Sequence, residues 1–247
     1  MPLQKRFKRP PPPPSKGTGI GDWVVLKNSQ LLAFNKPPAL AVQSANAEAP
    51  TLQKLASAYA KRDLYLIHRI DQPASGLVLF ARHKKAVQKL QAQFAQRGVR
   101  RVYLAVVEAL PNAAEGELRH FLVKDGRSNK STVVRANGEG APLGSRTGVA
   151  KEALLTWRKV GETDRYPILE IELATGRHHQ IRAQLAAVGA PIHGDVKYGA
   201  RRANADRSIH LHARTLEFRH PVSDEAVALE AGFPEGDALW ETVAGGR

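Results

Sequence analysis

The sequence predicts an α+β fold on a mixed, largely antiparallel sheet with flanking helices. Three observations carry that prediction. Strand-like apolar runs outnumber helical stripes, most of them are joined by turns, and no segment repeats. The 247 residues suit one large domain or two small ones, and 43% hydrophobic residues is an ordinary globular content. The expected division is a disordered basic, proline-rich tail over 1–20 and one folded domain over 21–240.

In the tail, Lys5, Arg6, Lys8 and Arg9 precede five prolines, Pro10 to Pro14. Such a run favours polyproline II and packs as neither helix nor strand. Trp23–Leu26 and Leu31–Asn35 flank Lys27-Asn28-Ser29 and read as strand, turn, strand. Pro37-Pro38 ends the second strand, and Leu40–Gln43 is expected to resume it. Leu52, Leu55, Ala56 and Tyr59 recur at helical spacing just after Pro50. Leu77–Ala81 is a short apolar run behind Ser75-Gly76 and reads as a buried strand. Val87, Leu90 and Phe94 form a helical stripe that Gly98 stops. Val102–Leu110 is a second buried strand. Residues 111–150 are polar and glycine-rich, a hairpin-like excursion carrying Arg119, Lys124, Arg127, Lys130 and Arg135.

Glu152–Lys159 and Ile168–Leu173 return to strand. In the second, Leu169, Ile171 and Leu173 alternate with Glu170 and Glu172, giving one dry face and one wet one. Ile181, Leu185 and Val188 form a helix stripe closed by Gly189. Leu211–Leu216 reads as one more strand.

Charge points to the partner. Thirty-seven Lys and Arg against 23 Asp and Glu give a formal +14, with a pI near 10.2. A field of that sign attracts polyanions, nucleic acid first among them. There is no cysteine, which excludes disulfides, thiolate metal sites and a cysteine nucleophile. No apolar run approaches the roughly 20 residues that span a bilayer, and the N-terminus lacks a secretory apolar stretch. A cytoplasmic monomer is the expectation.

The densest segment is His68-Arg69-Ile70-Asp71-Gln72-Pro73-Ala74-Ser75-Gly76-Leu77. It sets a carboxylate between an arginine and a turn, with a buried strand directly after, so Asp71 lies on a loop fixed by a rigid element. A turn aspartate accepting backbone hydrogen bonds has the same local signature. The second segment is Thr175-Gly176-Arg177-His178-His179-Gln180-Ile181-Arg182. Gly176 permits a tight turn, and Arg177 and Arg182 bring positive charge to it and to the helix behind.

Together the two segments resemble the signatures of the RluA-type RNA pseudouridine synthase family, roughly H-R-L-D-x-x-T-S-G-L and T-G-R-x-H-Q-I-R. Tyr103–Val107 is similar to a third element, a tyrosine opening a Y-L-A-V-V strand. Asn35-Lys36-Pro37, Gly189-x-Pro191-Ile192-x-Gly194-Asp195 and Tyr198-Gly199 are lesser echoes, and the resemblance runs in order over about residues 22–220. Three departures concern substrate choice: Ala74 stands for a usual threonine, His178 for a common threonine and Gln184 for a common histidine. Residues 1–20 are too short for the S4-like RNA-binding module of many relatives, so the likeness is to the form without it.

The resemblance implies the pseudouridine synthase fold with a central catalytic cleft, and isomerisation of specific uridines in structured rRNA or tRNA with no cofactor and no metal. It implies Asp71 as nucleophile, Arg182 as the arginine paired with it, and Tyr103 beside the base. Arg69, Arg177, His179 and Ile181 are then the substrate-binding set, with Arg69 filling the space of the extruded base and Ile181 an apolar wall. Lys and Arg residues in 119–135 and 197–207 would grip the RNA backbone. Two other readings stay open on sequence. One is a non-catalytic RNA-binding or ribosome-assembly protein on the same fold. The other is a metal-dependent nucleic-acid hydrolase drawing ligands from His178, His179, His193, Asp195, His210 and His212, of which His210 and His212 would share a strand face.

Overall fold

A computed structural model describes residues 19–134 and 149–245. Almost all of the predicted tail, and Arg135 of the predicted excursion, lie outside the described residues. The fold is α+β. Among the described residues eleven strands form one sheet, flanked by four helices.

The hairpin β1 (Val24–Lys27) and β2 (Leu31–Lys36) forms as its pattern predicts. Asn28 closes it, because its Oδ1 accepts from the amides of Gln30 (2.9 Å) and Leu31 (2.7 Å). Leu40–Gln43 does not resume a strand; only an isolated bridge, Ala41 to Thr51, forms there. Helix α1 (Leu52–Ala60) starts at Thr51, whose hydroxyl accepts from the Lys54 amide at 3.3 Å. Leu52 and Ala56 enter the core, while Leu55 of the predicted stripe turns outward. The short β3 (Tyr65–Leu66) follows, then the loop bearing Asp71, then β4 (Ser75–Ala81), every residue of which is buried.

β4 pairs with β2 along one edge. Along the other it meets β10 (Leu211–Arg219) at Ser75–Gly76 and β3 at Phe80–Ala81. The contact with β10 is the sheet's one parallel pairing among the described residues. It demands a glycine. Gly76 has φ +109°, and a Cβ there would lie 2.3 Å from the Ala213 carbonyl oxygen.

Helix α2 (Lys84–Ala95) buries Ala86 and Leu90, and Phe94 packs against the same cluster. Its stop differs in detail from the prediction. Arg97, not Gly98, takes the left-handed position (φ 59°), and the Gly98 amide closes the turn on Gln93 O at 2.8 Å. β5 (Arg100–Val106) then lies between β10 and β9 (Pro167–Leu173). The predicted excursion is a true hairpin, β6 (Glu115–Asp125) and β7 (Lys130–Val134), joined to β9 through β8 (Lys151–Glu162).

Helix α3 (Gln180–Ala187) is more deeply set than a one-sided stripe predicts. Gln180 to Leu185 are all buried, polar residues included. Besides the short β3, two further elements went unread in the sequence: β11 (Ala226–Glu230), beside β10, and α4 (Ala238–Gly245), which carries Trp240 and Val243 into the core and runs past the expected boundary at 240.

Candidate active site

The loop 67–74 and the N-terminal turn of α3 face one another across a cavity of about 450 Å³. Each loop has its own anchor. Lys36, at the end of β2, is fully buried, and its Nζ donates to the carbonyls of Pro37 (2.8 Å), Gln72 (3.2 Å) and Ala74 (2.6 Å). Three acceptors match the three protons of an ammonium, and they fix the segment just after Asp71. Burial lowers the Lys36 pKa to about 7, against the pull of Asp71. His68 anchors the other end: its Nε2 accepts from the Leu79 amide at 3.2 Å and its ring stacks on Phe94. Burial, with Arg101 adding to it, lowers its pKa to about 3, so the imidazole is neutral.

At the facing turn, Gln180 Oε1 accepts from the Arg177 amide (2.9 Å) and the Thr175 hydroxyl (2.8 Å), while its Nε2 donates to Leu154 O. His179 occupies the N-cap in the left-handed region, φ 51°. Its Nδ1 lies 3.0 Å from the Tyr198 hydroxyl, which also accepts from the Ser131 amide of β7 at 2.8 Å. His178 and His179 stack at 3.8 Å. Burial first, then the neighbouring cations, lower these histidines to about 4 and about 2. The 3.9 Å approach of His179 Nε2 to Asp71 is therefore a contact with a neutral ring.

Asp71 and Arg182 meet in this cavity, with Nη1 3.2 Å from Oδ2. The rest of the guanidinium is held bidentately by Asp195, Nε to Oδ2 at 2.6 Å and Nη2 to Oδ1 at 2.8 Å. Asp195 and Arg182 have 1% and 4% of their side chains exposed, Asp71 17%. The arginine is thus fixed before substrate arrives. Burial opposes the Arg182 charge and the two carboxylates overcome it, so the group titrates above its ordinary value. Burial raises the Asp71 pKa above the usual carboxylate value; Arg182 and then Arg69 pull it back, and Asp195 adds to the rise.

All seven residues singled out in the sequence line this cavity: Asp71, Tyr103, Arg182, Arg69, Arg177, His179 and Ile181. Tyr103 and Ile181 are buried, and Arg69 stands exposed at the rim. Burial raises the Tyr103 pKa to about 12, so its phenol is protonated at neutral pH. The Arg177 Nε donates to Glu152 O at 2.8 Å. Lys36, Asp195 and Tyr198 belong to the site's support. Lys36 and Tyr198 had no role assigned from sequence, and Asp195 only that of a metal ligand in the hydrolase reading; what pointed to all three was membership in the short echoes around the two main segments.

The histidines of the hydrolase reading have other partners. His210 faces Asn204 through Nδ1 (3.2 Å) and Asp237 through Nε2 (3.1 Å), and both His210 and His212 pack against Trp240. Among the described residues no three His, Cys, Asp or Glu side chains are grouped as for a metal. No helix among them is long and apolar enough to cross a membrane.

Residues 30–187 match the family described as "RNA pseudouridylate synthase". A relative from Bacillus subtilis (strain 168), named "Uncharacterized RNA pseudouridine synthase YhcT", is 31% identical over 85% of this chain and 68% of its own length. The "Ribosomal large subunit pseudouridine synthase C" of Vibrio vulnificus (strain CMCP6) is 28% identical over 93% and 70%. Among solved structures, human RNA pseudouridylate synthase domain containing 4 shares the fold, with a TM-score of 0.70 at 23% identity over 87% of this chain and 90% of that one.

Proposed function

The chain belongs to the RluA-type RNA pseudouridine synthase family, and on that premise we propose that Asp71 is the nucleophile with which it isomerises uridines in ribosomal or transfer RNA. The chain is an isomerase. In the reaction the C1′–N1 bond breaks, the uracil turns, and C5 bonds to C1′. C5 loses its proton and N1 gains one, so nothing is added or removed overall.

The observation that supports Asp71 is its pairing with a guanidinium already fixed by a second buried carboxylate. A carboxylate needs no base to activate it, but in a closed site it tends to take up a proton. Arg182 counters that tendency and sets the direction of the oxygen. Tyr103 is placed to pack on the uracil, and its protonated phenol is a hydrogen-bond donor there. Ile181 offers an apolar wall. Arg69, at the rim, is suited to fill the gap left in the RNA stack, where extruding a base costs roughly a few kcal/mol.

The test is pseudouridine mapping on unmodified ribosomal and transfer RNA transcripts treated with wild type and with Asp71→Asn. The expected result is defined sites for wild type and a loss of at least about 10⁴-fold in rate for the variant, with RNA binding within about twofold. Conversion by the variant would remove Asp71 from the chemistry. No conversion of any RNA by wild type would favour the non-catalytic reading.

A further inference from the structure

Three cationic side chains that line the cavity, Arg101, Lys124 and Arg177, have no role in the chemistry above, and of these only Arg101 is partly buried. Arg101, in β5, lines the cavity with its guanidinium over the Phe94 ring (5.5 Å). Of its five N–H protons, one finds an acceptor among the described residues: Nη2 donates to Leu173 O at 3.1 Å. Its Nε is buried without a partner, and among those residues no carboxylate pairs with it. Its neighbour Arg100 is the opposite case, an exposed arginine bridging Glu172 and Glu217. A half-buried guanidinium without an anion is costly, and folds retain one where a ligand supplies the anion.

Gly176 explains how the fork fits. Its φ is not in the left-handed region, so the backbone does not call for glycine. A Cβ there, however, would lie 2.7 Å from Arg101 Nη1. The glycine at this turn keeps open the space that the guanidinium occupies.

We propose that Arg101 binds a phosphate oxyanion of the RNA, at the nucleotide whose uracil enters the cavity, and is a substrate-positioning residue of this enzyme. The inference rests on reading this cavity as the uridine site. The phosphate completes the donor fork, and the fork fixes the ribose next to Asp71. Burial lowers the Arg101 pKa, which is the same missing anion seen from the protein side.

Binding of polyuridylic acid, measured against salt for wild type, Arg101→Met, Arg101→Lys and Gly176→Ala, tests this. Arg101→Met keeps the stem on Phe94 and removes the charge. Its Kd should rise about ten- to a hundredfold, its log Kd–log salt slope should become shallower by roughly 0.7, and its Tm without RNA should rise. Arg101→Lys should keep the slope and lose part of the affinity. Gly176→Ala folds with the fork displaced and should weaken binding in the same direction. Inorganic phosphate should compete weakly with wild type and not with Arg101→Met. Arg101→Met with unchanged Kd and slope, or with a lowered Tm and unchanged binding, would overturn the proposal and leave a packing role. Asp71→Asn should bind like wild type, so failure here is separable from failure of the nucleophile. A wild type that does not bind the polymer at low salt would remove the cavity as an RNA site altogether.

Discussion

The cavity around Asp71 is lined by Arg69, Arg101, Lys124, Arg177 and Arg182 against a single carboxylate, whereas the cavity beside it, about 740 Å³ and bounded by Lys36 and Ser75, carries Asp22, Asp206, Glu235 and Asp237 among Trp23, Phe233 and Trp240. The second cavity closes most of its charges internally. Asp22 accepts from the Gly19 amide, Asp206 from the Ser208 amide, and Asp237 from His210 and the first turn of α4. The first leaves Arg101 and the Tyr103 hydroxyl without full partners among the described residues and holds Asp71 against its desolvation. In the second cavity the buried group without a hydrogen-bond partner among the described residues is a ring nitrogen, His193 Nδ1, and not a guanidinium; a charged group left wanting is the stronger mark of a ligand.

The largest effect that would sharpen this contrast is at the joint between support and site. Arg182→Gln strands the buried Asp195 and should cost about 3–5 kcal/mol of stability, read by denaturant unfolding, together with nearly all activity. In the second cavity, Trp240 stacks on Phe233 at 5.3 Å with 3% of its surface exposed. Trp240→Ala should cost about 3 kcal/mol yet leave kcat per folded molecule within about twofold. A large fall in kcat without loss of fold would erase the distinction between the two cavities.

How much of this was legible in the sequence follows the range of the interactions. β4 was readable because a glycine and a run of apolar residues are local signals, and Asp71 because it sits inside such a signal. The α3 stripe was misread as one-sided because Gln180, Arg182 and Gln184 are buried by distant partners: Leu154 O, Asp195, and the carbonyls of Leu118 and Ala153. No periodicity encodes those. Leu55 looked like core from its spacing, but spacing does not say how wide the buried face is. α4 was missed because its short segment is anchored by one tryptophan, and Lys36 because a buried lysine is read only from the carbonyls around it.

The smallest expected effect concerns Asp237. Although burial pushes its pKa up, hydrogen bonds from His210 and the α4 amides bring it below the ordinary value. The stability it contributes is therefore present above the unfolded carboxylate pKa and is lost as pH falls through the lower folded value. Asp237→Asn should cost about 1 kcal/mol at neutral pH and flatten the acid side of a Tm-against-pH curve, with no change in the rate profile.

The central claim is that a desolvated Asp71 is kept ionised by Arg182, and the acid limb of kcat/KM reads it directly. In the role we propose for Asp71 the charged form is the reactive one, so a raised pKa means activity is lost at a higher pH than an ordinary aspartate would give. With wild type and Arg182→Lys compared from pH 4 to 8 on one RNA, the prediction is a wild-type limb above the ordinary carboxylate range that moves further up in the variant. A limb at or below that range, or one that the loss of the guanidinium does not move, would contradict it.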